Sequence, residues 1–119
     1  MRIAIISDIV STTPEDDLDR MLAGFSATVI AGGHTHVQKL RRHRDLIMIN
    51  PGSVGLPFES VQETGQARNP PWAEYTFVGV MNGNLSIELR RVPLDVSVVI
   101  RAALDSGMPH AEWWAGDWG

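Results

Sequence analysis

The chain has 119 residues, 44% hydrophobic and 20% charged, which suits one globular domain (1–119) with a single core and excludes a disordered polymer. A net charge of −4 argues against broad electrostatic binding of nucleic acid, although bound metal ions would invert the local field for a phosphorylated ligand. There is no cysteine, hence neither a disulfide framework nor a thiolate zinc site; no apolar run approaches membrane-span length and no signal peptide precedes the first strand, so a cytoplasmic protein with no membrane partner is expected.

In chain order, residues 2–8 (Arg-Ile-Ala-Ile-Ile-Ser-Asp) read as a strand buried on both faces, with the carboxylate of Asp8 at its C-terminal end. An acidic residue there can equally be a turn or a cap. A helix follows: Thr13 suits the N-cap, Pro14 the first helical position, and Glu15, Asp16 and Asp17 the positive end of the dipole. Leu18, Met21, Leu22 and Phe25 form its apolar stripe, and Gly24 is its expected stop. The acidic cluster is read as capping and solvation, not as metal ligands.

Residues 28–31 (Thr-Val-Ile-Ala) are β-branched and apolar, which predicts a buried strand. Gly32 and Gly33 then permit a sharp turn and close backbone approach, and His34 and His36 follow at i and i+2. In a regular strand that spacing puts two side chains on one face about 6–7 Å apart, too far to chelate one ion unless the backbone bends. Such a pair suits two close metals, one ligand to each, or one ion on a kinked loop; two solvated histidines on a surface turn would look the same.

Residues 37–40 are expected to form a strand, 41–45 (Arg-Arg-His-Arg-Asp) its turn, and 46–49 the return strand, with His43 part of a solvated tip. Asn50-Pro51-Gly52-Ser53 opens a loop through Pro57 whose backbone N–H groups around Gly52 and Ser53 could meet an anion or support His34 and His36; support is favoured. Residues 59–73 read as a polar loop ending near Trp72. Strands over 75–81 and 85–92 flank Asn82-Gly83-Asn84, a hairpin signal. Asp95 caps a helix running to about Ser106, with Val96, Val99, Ile100, Ala103 and Leu104 as its apolar face. Trp113, Trp114 and Trp118 crowd the tail, which is expected to dock on the body.

The run from strand through Gly33-His34-Thr35-His36 to a second apolar strand ending in Asn50-Pro51-Gly52-Ser53 resembles the C-terminal half of the calcineurin-like metallophosphoesterases, in particular their small bacterial and archaeal phosphodiesterase branch. The resemblance implies an α/β fold of mixed β-sheet layers with flanking helices, a shortened β-sandwich. It also implies metal-dependent phosphoester hydrolysis of a small-molecule substrate. In that family Gly-His-x-His gives one histidine to each of two metals, and the Asn-Pro-Gly-Ser loop packs beside it. Residues 2–8 resemble the family's first motif, Asp-x-His, whose aspartate falls on Asp8 and whose histidine falls on Val10, which has no lone pair. The family's central motifs, Gly-Asp-x-x-Asp and Gly-Asn-His-Asp/Glu and a further histidine, are missing after about residue 10.

What the resemblance leaves is Asp8, His34 and His36 as metal ligands, with Gly33, Asn50, Gly52 and Ser53 as the supporting loop and no catalytic residue identified. At most one weakly bound divalent ion (Mn, Fe, Ni or Zn) is therefore expected, with little or no turnover. The other readings are a non-catalytic module binding one metal through those three residues, and a metal-free interaction protein. Loss of the family's middle strips one side of the sheet, and an apolar face or unpaired edge so left predicts a homo-oligomer.

Overall fold

In a computed structural model, residues 1–6, 13–58 and 69–118 are described. The elements are β1 (Ile3–Ile6), α1 (Glu15–Met21), β2 (Val29–Gly32), β3 (Lys39–His43), β4 (Leu46–Asn50), β5 (Trp72–Met81), β6 (Asn84–Pro93), α2 (Val96–Asp105) and α3 (Ala111–Ala115). The fold is mixed α/β, as expected. Four strands form one sheet in the order β1-β2-β4-β3, and β5 and β6 form a second.

β1 and β4 both run parallel to β2, and β3 returns antiparallel to β4. Register aligns Ala4, Ile30, Met48 and Arg41 in one row, and Ile5, Ala31, Ile49 and Leu40 in the next. Because side chains alternate along a strand, the two rows lie on opposite faces of the sheet. α1 covers the first face: Arg41 donates to the Thr13 carbonyl (2.6 Å), His43 meets Asp19 (2.8 Å), and Leu18 is fully buried. The β5–β6 hairpin covers part of the second. Glu74 N–H donates to the Ser53 carbonyl (2.9 Å), and Gln38 Nε2 reaches the carbonyls of Pro51, Tyr75 and Arg90 at 3.1–3.2 Å. Further along, the two sheets face each other across an apolar cavity of about 300 Å³ between Ile5, Ala31 and Ile49 on one side and Thr76 and Val78 on the other.

Several expectations hold at the level of local chemistry. Asn82 and Gly83, both at positive φ (50° and 80°), make the two-residue turn between β5 and β6. Asp95 caps α2 by accepting from Ser97 N–H at 3.0 Å. The tail docks through Trp118, which is buried and bridges to Asn69, and Trp114 packs edge-on against it.

Others are corrected. β1 is not buried on both faces: it is an edge strand among the described residues, and Ile5 is 86% exposed. Pro14, not Thr13, is the N-cap of α1, with no side-chain capping bond, and the helix ends at Met21, before the left-handed Gly24. Of the proposed α1 stripe only Leu18 is buried; Leu22 is half-buried, and Met21 and Phe25 are exposed. Leu104 of α2 is exposed as well, as is Trp113 in the tail. The basic run is largely strand: β3 continues to His43 and only Arg44 and Asp45 turn, with Arg44 taking φ 53°. The expected pairing of the first strand within a sheet built from the C-terminal strands is not what forms: β1 joins β2, β4 and β3, and β5 and β6 pair with each other. Asp8 and Val10, and most of the polar loop (59–68), lie outside the described residues. No helix among the described residues is long and apolar enough to cross a membrane.

Candidate functional site

Parallel pairing of β1, β2 and β4 brings their carboxyl ends to one edge of the sheet, the edge at which open α/β sheets bind ligands. Ile6 lies level with Gly32, and Ala31 with Ile49. The chain leaving β2 is therefore Gly33-His34-Thr35-His36, and the last residue of β4 is Asn50. Asp8 follows the end of β1 by two residues.

The histidine loop does not continue the strand. His34 (φ 85°) and His36 (φ 55°) both occupy the left-handed region, which side chains of this size rarely adopt. Extended i, i+2 spacing consequently does not apply, and the backbone bends at both histidines. Such conformations persist where the surroundings hold them, and they concentrate at functional sites.

The hold comes from the loop after β4. Asn50, 4% exposed, donates from Nδ2 to Thr35 Oγ1 (2.8 Å) and to the Gly33 carbonyl (3.4 Å), and its Oδ1 accepts from Gly52 N–H (3.0 Å). One side chain thus ties the two loops together. Ser53 Oγ accepts from Leu56 N–H (3.0 Å), and the Leu56 carbonyl faces His36 Nδ1 at 2.9 Å. A carbonyl oxygen can only accept, so Nδ1 carries a proton, and in the neutral ring Nε2 is the nitrogen with the lone pair. The ring stacks on Phe58 (5.4 Å, 26°), and Phe58 N–H donates to the His36 carbonyl (2.9 Å). Orientation of the ring by a backbone acceptor on one nitrogen is the arrangement metal-ligating histidines use. His34 is exposed.

Gly52 takes φ 84° and lies against Glu74 of β5; a Cβ there would fall 2.6 Å from Glu74 Cβ. Glu74 is buried, and its Oε1 accepts from Trp72 Nε1 (3.1 Å) and from Arg91 Nε (2.8 Å). Gly33, Asn50, Gly52 and Ser53 each take part in one of these hydrogen bonds, and Gly52 in addition packs closely against Glu74. Sequence reasoning missed Leu56 and Phe58, whose only local signal is their place at the end of the Asn-Pro-Gly-Ser loop.

Among the described residues no group of three or more His, Asp or Glu side chains is arranged to hold a metal ion, and Asp8 lies outside them. His43 sits elsewhere. It is 6% exposed and its Nε2 meets Asp19 Oδ1 at 2.8 Å, while Arg44 binds the same carboxylate through Nε (2.8 Å) and Nη2. The Arg44 hydrogen bond, and then that of His43, hold the Asp19 carboxyl below its ordinary range against the cost of burial. These residues line a cleft of about 420 Å³ with Leu22, Phe25 and Leu46. The solvated tip expected for His43 is replaced by a buried ring bonded to the more exposed Asp19–Arg44 ion pair, because strand alternation turns His43 to the same face as Arg41, under α1.

The sequence model of the calcineurin-like phosphoesterase superfamily domain matches residues 9–67, about half of the chain, a stretch that contains both the histidine loop and its Asn50 support. The chain belongs to the calcineurin-like phosphoesterase superfamily. Among solved structures, this family member is similar to a conserved uncharacterized protein, a predicted phosphoesterase, from Streptococcus pneumoniae TIGR4. Identity is 20% and the TM-score 0.34, over 61% of this chain and 46% of that one. The match thus spans less than half the length of that protein. No curated protein matches the chain.

Proposed function

We propose that this chain keeps one half of a metallophosphoesterase centre: it binds a single divalent cation weakly through Asp8, His34 and His36, and hydrolyses small phosphodiesters little or not at all. The observation that carries the reading is His36, whose Nδ1 proton is engaged by the Leu56 carbonyl so that Nε2 retains its lone pair. A two-histidine, one-carboxylate set suits Mn, Fe, Ni or Zn with coordination positions left open. A bound divalent ion would supply positive charge to a phosphoryl oxygen. The protein's own contribution is orientation: Asn50 fixes Thr35 and Gly33, Ser53 fixes Leu56, and Leu56 and Phe58 fix the His36 ring.

The sequence supports the low activity. Val10 stands where the family has a metal-binding histidine, and the motifs that supply the bridging carboxylate, the asparagine and the leaving-group histidine are missing. Without a bridging carboxylate and a full second ligand set, two ions cannot be fixed side by side.

Calorimetry with MnCl₂ on wild type, His36→Ala and Val10→His, paired with hydrolysis of bis(p-nitrophenyl) phosphate, tests both halves. The expected result is at most one ion per wild-type chain, binding lost in His36→Ala, tighter binding in Val10→His, and no restored turnover. Robust metal-dependent turnover by wild type, abolished in His36→Ala, would overturn the reading.

A further inference from the structure

β1 presents an unpaired edge among the described residues. The Arg2 carbonyl accepts from Thr28 and Val29 of the neighbouring segment (2.8 and 3.3 Å). Backbone groups alternate in direction along a strand, so Ala4 and Ile6 also face β2, and the N–H and C=O groups of Ile3 and Ile5 point to the open edge. Among the described residues that edge has none of the usual protection. Its sequence is Ile-Ala-Ile-Ile, with no charge, proline or bulge, and Ile3 and Ile5 are 48% and 86% exposed. Next to it opens the apolar cavity under β5, lined by Ile5, Ala31, Ile49 and Val78.

The molecule as a whole has surface to spare. A chain of this mass is expected to expose about 6,400 Å² and to have a radius of gyration of about 13–14 Å. It exposes 7958 Å², with a radius of gyration of 16.9 Å. The excess, roughly 1,500 Å² per chain, exceeds the share of about 800 Å² that each partner contributes to a standard stable interface.

We infer that β1 pairs antiparallel with β1 of a second copy, about a two-fold axis at Ala4, to give one continuous eight-stranded sheet. The register follows from the hydrogen-bond pattern. Only an axis at Ala4 sets both outward residues of Ile3–Ile6 opposite outward residues of that same strand, Ile3 opposite the partner's Ile5 and the converse, so that all four outward groups on each strand are bonded. It also sets the small Ala4 side chains against each other at the close, non-hydrogen-bonded position, about 4.5 Å apart at Cα. Ile3 and Ile5 of both copies then form one cluster on the face that carries the apolar cavity. A second copy is the occupant because an isologous pairing satisfies the same groups on both sides of the axis and covers both copies' isoleucines at once.

Sedimentation equilibrium on wild type, Ile5→Lys and Ala4→Cys tests the pairing. Wild type is expected to be dimeric at micromolar concentration. Ile5→Lys is expected to weaken association by about a hundredfold or more, since each dimer loses two buried isoleucines and gains two facing charges. Because the Ile5 side chain is mostly exposed in the single chain, that variant should keep the wild-type circular dichroism. The protein has no native cysteine, so Ala4→Cys should give a disulfide-linked dimer on mild oxidation, the Cα separation being within disulfide range. Hydrogen exchange supplies a variant-free readout: the Ile3 and Ile5 amides should be protected in concentrated wild type and lose protection on dilution. A wild-type monomer at high micromolar concentration would overturn the inference. So would a dimer that survives Ile5→Lys, or one in which Ala4→Cys does not cross-link and the Ile3 and Ile5 amides exchange rapidly.

Discussion

His43 and His36 hang from the same four-stranded sheet and are held in opposite ways. His43 lies under α1, almost fully buried, with Nε2 committed to Asp19 and with Arg44 closing the other side of that carboxylate. His36 lies past the carboxyl end of β2, half-buried, anchored through Nδ1 by a backbone carbonyl and through its ring by Phe58. A histidine whose nitrogen is consumed by a neighbouring carboxylate stabilises the fold. One oriented by the main chain, with its other nitrogen directed elsewhere, is the one proposed above to meet a cation. The contrast separates an imidazole that builds from one that serves.

The largest expected effect falls on the platform beneath the presented histidine. Gly52→Ala places a methyl group against Glu74 and in a left-handed conformation, and should cost about 3 kcal/mol in denaturant unfolding while loosening the histidine loop. His43→Ala should cost about 2 kcal/mol, because a buried ring and its part-buried hydrogen bond to the Asp19 carboxylate are lost, yet leave metal binding unchanged. A metal affinity that moved with His43 would erase the distinction between the two sites.

That distinction was half legible in the sequence. The strand at 28–31, the Asn82-Gly83 turn and the Asp95 cap depend on neighbours within a few residues, and each formed as expected. His43 was misread because its partner, Asp19, is 24 positions away, and only the β3–α1 packing brings them together. Glu74 was overlooked for the same reason: its partner Arg91 comes from the opposite strand, and the glycine it packs against from another sheet's loop. The apolar run of β1 was read as burial on both faces, but it forms an edge strand among the described residues, with Ile5 86% exposed. At the candidate site, the Gly-His-Thr-His and Asn-Pro-Gly-Ser segments were readable as a unit, but not that Asn50 itself is the tie.

Asn50→Ala sharpens the comparison from the other side. It should cost about 1–2 kcal/mol, measured by thermal unfolding, since Thr35 and Gly52 lose their partner. Unlike His43→Ala, it should also weaken cation binding. Asp19 gives the smallest effect and the only one tied to pH. Its folded-state pKa lies below the ordinary value of 3.8, first because of Arg44 and then His43, so its contribution is fully present above that value. The contribution is lost as pH falls through the depressed folded-state value. The difference in Tm between wild type and Asp19→Asn should therefore persist at neutral pH and shrink in acid below about 3.8. A difference that does not vary with pH would remove the ion pair from the account.

The most direct test is nitrogen NMR of the four imidazole rings, recorded with and without ZnCl₂. Before metal is added, His36 should be the tautomer protonated at Nδ1. With one equivalent of Zn²⁺, His36 Nε2 and a His34 nitrogen should shift while the His43 nitrogens stay in place. A His36 ring protonated at Nε2, or Zn²⁺ that leaves both loop histidines unmoved, would contradict the account.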